Sequence, residues 1–68
     1  MQNRIKLLRE ELGISQGKLA ELCDVSRQTI NAIENDKYDP SLPLAFAISE
    51  ALEVTIEQLF QYERKNSE

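Results

Sequence analysis

The sequence contains no histidine and a single cysteine, Cys23, among its 68 residues. Structural zinc sites use about four nitrogen or sulfur ligands, so this composition leaves no plausible zinc site. One cysteine also excludes an internal disulfide and favours a reducing environment. No apolar run approaches the ~20 residues that cross a bilayer, and no apolar signal-peptide region follows the first residues. We therefore expect a cytoplasmic protein that uses no metal, cofactor or membrane anchor.

The remaining composition is that of a small folded domain. Hydrophobic residues make up 41% of the chain, which is enough for a compact core and argues against disorder. We expect one domain over residues 1–68. The carboxylates of the second half are a weak argument for acid–base catalysis, because no histidine and no glycine-rich phosphate loop accompany them. We therefore do not expect an enzyme.

The net charge of −4 is unevenly distributed along the chain. Residues 1–37 carry six basic and six acidic side chains, whereas residues 38–68 carry two basic and six acidic ones. The first half is therefore neutral, and the second half holds the whole negative excess. A neutral surface can still approach a polyanion, because the local field matters more than the net charge.

Five helices are predicted from apolar spacing and end signals, over about residues 2–12, 16–23, 27–34, 42–52 and 56–62. Ser15, Ser26 and Thr55 each follow an apolar residue and precede another apolar residue four positions later. This pattern is that of an N-cap with a hydrophobic staple. The tight turn between the second and third helices needs a residue with positive φ, and Asp24 can fill that role.

The second and third helices are predicted to form a helix-turn-helix, in which the third carries a row of hydrogen-bonding side chains. Turning Ile30 and Ile33 toward the core places Gln28 and Asn31 outward, with Arg27 at the exposed N-terminal end. Arginine can bond both acceptors of guanine in the major groove, and glutamine or asparagine can do so for adenine. Any solvated helix has a polar face, so this interpretation depends on the turn and the short spacing.

Residues around the third helix extend the predicted DNA-binding surface. Gln16 begins the preceding helix, where its side chain and the free backbone N–H groups can hold a phosphate. The polar loop after the third helix can contact phosphates as well. The complete prediction for DNA binding comprises Gln16, Ser26, Arg27, Gln28, Asn31, Asn35, Lys37 and Tyr38.

Two charged residues border the apolar stripes of their helices and are predicted to pair. Arg9 lies on the first helix and Glu34 on the third. A partly buried ion pair between them would fix the third helix against the rest of the fold. The alternative is two unpaired surface charges.

The sequence resembles the Cro and phage-repressor type of helix-turn-helix regulators, also called the xenobiotic-response-element family. The resemblance is carried by Arg9 and by residues 12–16, 19–20, 25–30, 33–35 and 40–42. It covers roughly residues 3–60, and within the family the chain resembles the short stand-alone, cytolysin-repressor-like members. Asp24 replaces the usual turn glycine. Gly17 replaces a usual helix former, and it either permits close approach of DNA or is simply tolerated.

The resemblance implies an all-α fold, the five-helix lambda-repressor-like DNA-binding domain. It also implies a homodimer that binds a palindromic operator with helix 27–34 in the major groove. We expect a repressor, because nothing in the sequence resembles a polymerase-activating segment. In that family the positions of Arg27 and Gln28 read bases, and those of Gln16 and Asn35 contact phosphate. Dimers usually form through the last helix, where the sequence has an excess of apolar side chains in Ile56, Leu59 and Phe60.

A second class of function stays open at this point, an antitoxin-like or protein-interaction module with a helix-turn-helix fold. The acidic second half is its best support. A purely structural dimer is a weaker alternative, because such a dimer has no need of the outward Arg27, Gln28 and Asn31.

Overall fold

A computed structural model describes residues 2–61 of the chain. It contains five helices: α1 Ile5–Leu12, α2 Gln16–Cys23, α3 Arg27–Glu34, α4 Leu42–Leu52 and α5 Ile56–Leu59. Two short strands, β1 Gln2–Asn3 and β2 Phe60–Gln61, flank the helices and pair antiparallel. Gln2 lies opposite Gln61 and Asn3 opposite Phe60, so the first and last described segments are joined.

The first and last helices are shorter than the sequence predicts. The first begins at Ile5 instead of residue 2, and the last ends at Leu59 instead of residue 62. The cause is the pairing of β1 with β2, because residues at both ends bond across the fold and not along a helix. The Arg4 N–H also donates to the Leu59 carbonyl over 2.8 Å. Residue 62 of the predicted last helix lies outside the described residues.

Three helix connections use the same local chemistry. α1, α2 and α4 are each followed by a left-handed residue, namely Gly13 (φ 75°), Asp24 (φ 60°) and Glu53 (φ 60°). The next residue is apolar in each case, and its N–H donates to the carbonyl five positions earlier over 3.0–3.2 Å. This bond closes a Schellman motif, which satisfies a carbonyl at the helix end. The positive φ predicted for Asp24 is confirmed.

The N-caps predicted at Ser15, Ser26 and Thr55 are confirmed as well, and Ser41 caps α4 in the same way. Each of these four side chains accepts the backbone N–H three positions later, over 3.0–3.2 Å. Gln58 completes a capping box at α5, because its side chain accepts the Thr55 N–H over 2.9 Å. Such caps contribute ~1 kcal/mol each. They fix where α2 and α3 begin, and so determine which side chains α3 turns outward.

The core is built from large aliphatic side chains contributed by every helix. The fully buried ones are Ile5, Leu19, Ile30, Ile33, Ile48 and Leu59. On α1 the inward stripe continues from Ile5 to Arg9, which is 8% exposed, and not to Leu12, which is 49% exposed. A charged residue therefore belongs to the buried side of α1 and needs a partner there.

Cys23 lies in the core at the end of α2. Burial raises the pKa of its thiol, so the side chain stays protonated and behaves as a small apolar group. Within residues 2–61, no three histidine, cysteine or acidic side chains form a group that could hold a metal ion. No helix in that range has both the length and the hydropathy to cross a bilayer.

Candidate nucleic-acid interface

The outer face of α3 carries polar side chains beside the start of α2. Ile30 and Ile33 are 0% and 1% exposed, so the opposite side of the helix faces solvent. Four residues predicted for DNA binding line one open concavity between the two helices: Gln16, Arg27, Gln28 and Asn31. The three that belong to α3 are exposed.

The lining of this concavity suits the polar edges of a nucleic acid. Each amide offers both a donor and an acceptor, and the guanidinium of Arg27 offers several donors in a plane. None of the four lining residues is acidic. The surface therefore carries a single positive charge among neutral groups, in agreement with the neutral first half of the chain.

Ser26 is engaged mainly in capping α3. Its hydroxyl accepts the Thr29 N–H over 3.1 Å and lies 3.0 Å from the Thr29 hydroxyl. The side chain is exposed at the edge of the same surface, so the cap and a contact with a ligand are compatible. Its predicted role in DNA binding stays a prediction.

Gln16 is already bonded within the protein. Its Nε2 donates to Oε1 of Glu34 over 2.8 Å, and the residue is half-buried. This bond uses one of the two amide N–H groups. This bond could not be predicted from the sequence, because nothing in the local pattern connects positions 16 and 34.

The same carboxylate pairs with Arg9. Nε of Arg9 lies 2.7 Å from Oε2 of Glu34, and Nη2 lies 3.3 Å from Oε1. Nη1 donates to the Ile14 carbonyl over 2.9 Å. The side chains are 9% and 2% exposed, so this is the buried ion pair predicted from the helix stripes. Its hydrogen bond to Glu34 raises the pKa of Arg9, against the opposing effect of burial, and the guanidinium stays charged.

The segment after α3 places further predicted contacts at the end of that helix. Nδ2 of Asn35 donates to the Asn31 carbonyl over 2.8 Å, so this side chain folds back on α3. The Lys37 N–H donates to the Ala32 carbonyl over 2.9 Å. The side chains of Lys37 and Tyr38 are exposed. All of them lie outside the concavity, and their roles stay predictions.

Asn3 supports the same end of α3, a role that was not predicted from the sequence. Its Nδ2 donates to the Ile33 carbonyl over 2.8 Å and to Oδ1 of Asp36 over 3.0 Å. Its Oδ1 accepts the Ile5 N–H over 3.0 Å. One side chain therefore ties β1 and the start of α1 to the loop after α3.

A second recess lies between α4 and α5, and it is apolar. This groove has a volume of about 440 Å³ and is lined by Asp39, Pro40, Leu42, Ala45, Ile56, Glu57 and Phe60. Leu42 is 66% exposed, and Phe46 beside it is 56% exposed. Ile56 and Phe60, two of the predicted dimer contacts, are half-buried here.

The third predicted dimer contact, Leu59, is wrong. It is 0% exposed and packs in the core, so it offers no surface to a partner. α5 is a single turn, and its inward side chain is Leu59, while Ile56 and Phe60 face the groove. Leu42 and Phe46 were not among the predicted contacts, although they lie off the buried stripe of α4 and are exposed beside the groove.

Comparison with known proteins places these features in a family. A family model described as Helix-turn-helix matches residues 5–59. An uncharacterized HTH-type transcriptional regulator of Methanocaldococcus jannaschii is 51% identical over 63 residues, covering 93% of this chain and 96% of that protein. Another from Bacillus subtilis is 46% identical over 66 residues, covering 97% and 100%.

Solved structures agree with the sequence relatives. The restriction-modification controller protein C.AhdI of Aeromonas hydrophila superposes with a TM-score of 0.79 at 30% identity, covering 84% of this chain and 86% of that one. The P22 c2 repressor in complex with a synthetic operator superposes with a TM-score of 0.77 at 30% identity, covering 79% and 82%. The predicted five-helix, lambda-repressor-like fold is confirmed.

Proposed function

This chain belongs to the Cro/C1-type helix-turn-helix family of DNA-binding transcriptional regulators, and we propose that it represses transcription as a homodimer on a palindromic operator. The family is not an enzyme class. The observation that carries the proposal is the concavity lined by Gln16, Arg27, Gln28 and Asn31. Its position on a helix-turn-helix, at the N-terminal end of the outer helix, matches the geometry used to read a major groove.

In this proposal α3 lies in the major groove and Arg27, Gln28 and Asn31 meet base edges. Arg27 bonds a guanine through two donors, and the two amides are suited to adenine. Each good two-bond contact discriminates against a wrong base by about 1–3 kcal/mol. Three base-contacting side chains specify only a short half-site. Two copies must therefore bind together to give a useful specificity.

Phosphate contacts would come from both ends of this surface. Gln16 lies at the start of α2, where free N–H groups also favour an anion. Lys37 and Tyr38 are exposed beyond α3, and the Asn35 amide has a second N–H besides the one bonded to α3. Contacts of this kind position the protein on the duplex and carry no sequence information by themselves.

The groove between α4 and α5 supports the proposed dimer. Leu42 and Phe46 together with Ile56 and Phe60 form an apolar patch on one side of the domain. Burying a Leu or Phe side chain is worth roughly 1.5–3 kcal/mol, so a second copy of this patch is a suitable partner. Two copies would meet half-sites ~34–36 Å apart, one turn of DNA.

Selection of bound DNA from a random duplex pool at low salt tests the proposal directly. We expect enrichment of one palindrome whose half-sites lie about one helical turn apart. Repression further predicts that a reporter placed behind this palindrome is transcribed less when the protein is supplied. Failure to enrich any palindrome would reject the proposal and favour the alternative, a protein-interaction module of the same fold.

A further inference from the structure

We propose that Glu34 is a positioning residue for DNA binding, because its carboxylate holds the Gln16 amide ready for a backbone phosphate while Arg9 cancels its charge. This inference rests on the proposed function and adds a second role to the buried ion pair. Glu34 itself is inside the fold, with a side chain that is 2% exposed, so it acts only through Gln16.

The bond between the two side chains fixes which way the amide faces. Oε1 of Glu34 accepts from Nε2 of Gln16 over 2.8 Å, and a carboxylate can only accept. The NH₂ group of Gln16 must therefore face Glu34, and its second N–H stays available for another acceptor. Gln16 also lines the concavity with Arg27, Gln28 and Asn31, which places this amide at the proposed DNA surface.

A carboxylate this close to a phosphate would normally repel it. Here Arg9 approaches both carboxylate oxygens, at 2.7 Å and 3.3 Å, and the pair is buried and neutral overall. Glu34 can therefore orient Gln16 without adding a negative field at the surface. In this arrangement the charge of Arg9 cancels that of Glu34, so the carboxylate does not repel the DNA backbone.

The expected benefit is entropic. A glutamine side chain that is free in solution loses several rotatable bonds when it contacts a ligand, and ordering such a side chain beforehand is worth about 2- to 12-fold in affinity. The Gln28 amide has no such anchor on a buried carboxylate among the contacts of the described residues. Gln16 and Gln28 are therefore a matched pair for the experiment.

A double-mutant cycle on the selected operator separates positioning from mere stability. Replacing both partners, Arg9→Met with Glu34→Met, removes the anchor and leaves no buried charge unpaired, which buried ion pairs often tolerate. Gln16→Ala is then measured in this background and in the natural one. Lys37→Ala in both backgrounds is the control, because it removes a proposed phosphate contact that does not involve Glu34.

We expect Gln16→Ala to weaken operator binding about 10-fold in the natural background, the size of one hydrogen bond to a charged group. Because the lost ordering is worth about 2- to 12-fold, the same change should cost about 5-fold or less in the double-methionine background, whereas the effect of Lys37→Ala should be equal in both. Equal effects of Gln16→Ala in both backgrounds would overturn the inference, as would no effect in either. If the natural protein itself selects no operator, the proposed function fails instead.

Side-chain NMR of the free natural protein gives a second test, which holds even if the double-methionine variant does not fold. We expect the Gln16 NH₂ group to show a higher order parameter than that of Gln28 on the fast timescale. Equal order in the two amides would contradict positioning by Glu34, because the carboxylate would then not restrain Gln16.

Discussion

The concavity between α2 and α3 and the groove between α4 and α5 are both open recesses, but their linings have opposite chemistry. The concavity is lined by amides and a guanidinium, and one of its amides is anchored on a buried ion pair. The groove is lined mostly by aliphatic and aromatic side chains, with Asp39 and Glu57 also in its lining. A side chain that makes directional hydrogen bonds must be held in one orientation by further contacts within the protein. Apolar packing is non-directional and needs only a surface of complementary shape.

This difference assigns the two recesses different proposed tasks. Polar groups held in fixed orientations discriminate between ligands, because an unmatched donor or acceptor is costly. Apolar burial supplies affinity without much discrimination. We propose that the groove brings two copies together and that the concavity determines which DNA they occupy. Leu42→Glu disrupts the groove and Arg27→Ala disrupts the concavity, so each variant should affect one of these tasks and spare the other.

Leu42→Glu should have the largest effect, on self-association. The change removes an apolar contact from each copy and adds a carboxylate to a groove that already contains Asp39 and Glu57. Two leucines per dimer at 1.5–3 kcal/mol each suggest a loss of about 3–6 kcal/mol in dimerisation free energy. Sedimentation equilibrium should therefore show monomers at concentrations where the natural protein is dimeric.

The control for this variant is Leu7→Glu. Leu7 is 49% exposed on α1 and is not among the residues that line the groove. Leu7→Glu should therefore leave the association state unchanged. Circular dichroism should show a folded chain for both variants. A dimer that survives Leu42→Glu would place the association surface elsewhere.

Arg27→Ala should have the next largest effect, and on the other recess. We expect a loss of about 1–3 kcal/mol in specific binding and relaxed preference at one base position. Lys37→Ala removes an equal charge outside the concavity, and it should weaken all sequences alike and lower the salt slope by about one unit. Competition binding over a panel of operator variants distinguishes the two. Equal losses on every sequence for Arg27→Ala would contradict base reading.

The parts of the fold that could be predicted from sequence are those determined by neighbouring residues. Ser15, Ser26 and Thr55 cap helices because a short side-chain oxygen reaches the N–H three positions later. Asp24 adopts the left-handed conformation at the turn for an equally local reason. The burial of Ile30 and Ile33 follows from the helical period, and with it the outward face of α3.

The parts that escaped prediction join distant positions. β1 and β2 are two residues each, too short for a period, and their pairing brings position 2 opposite position 61. That pairing shortens the terminal helices and leaves Leu59 in the core, which overturned its predicted place in the dimer contact. The bond from Gln16 to Glu34 is of the same kind, since it depends on how α2 and α3 pack.

Gly17→Ala should have the smallest effect, and it decides between the two explanations of this residue. An alanine Cβ would lie 3.8 Å from Oγ of Ser15 and 4.0 Å from Cδ of Arg27, which are ordinary contacts. We expect the free energy of unfolding to rise by up to ~1 kcal/mol in urea titrations, because alanine favours the helix. Gly13→Ala is the opposite control. The φ of 75° at Gly13 makes alanine strained there, so this change should lower the free energy of unfolding by about 1–2 kcal/mol.

Unchanged operator affinity in Gly17→Ala would mean that glycine is merely tolerated at the edge of the concavity. A clear loss of affinity in a more stable protein would show instead that the DNA backbone approaches α2 at this position, and that the polar recess includes the main chain of α2 as well as its side chains.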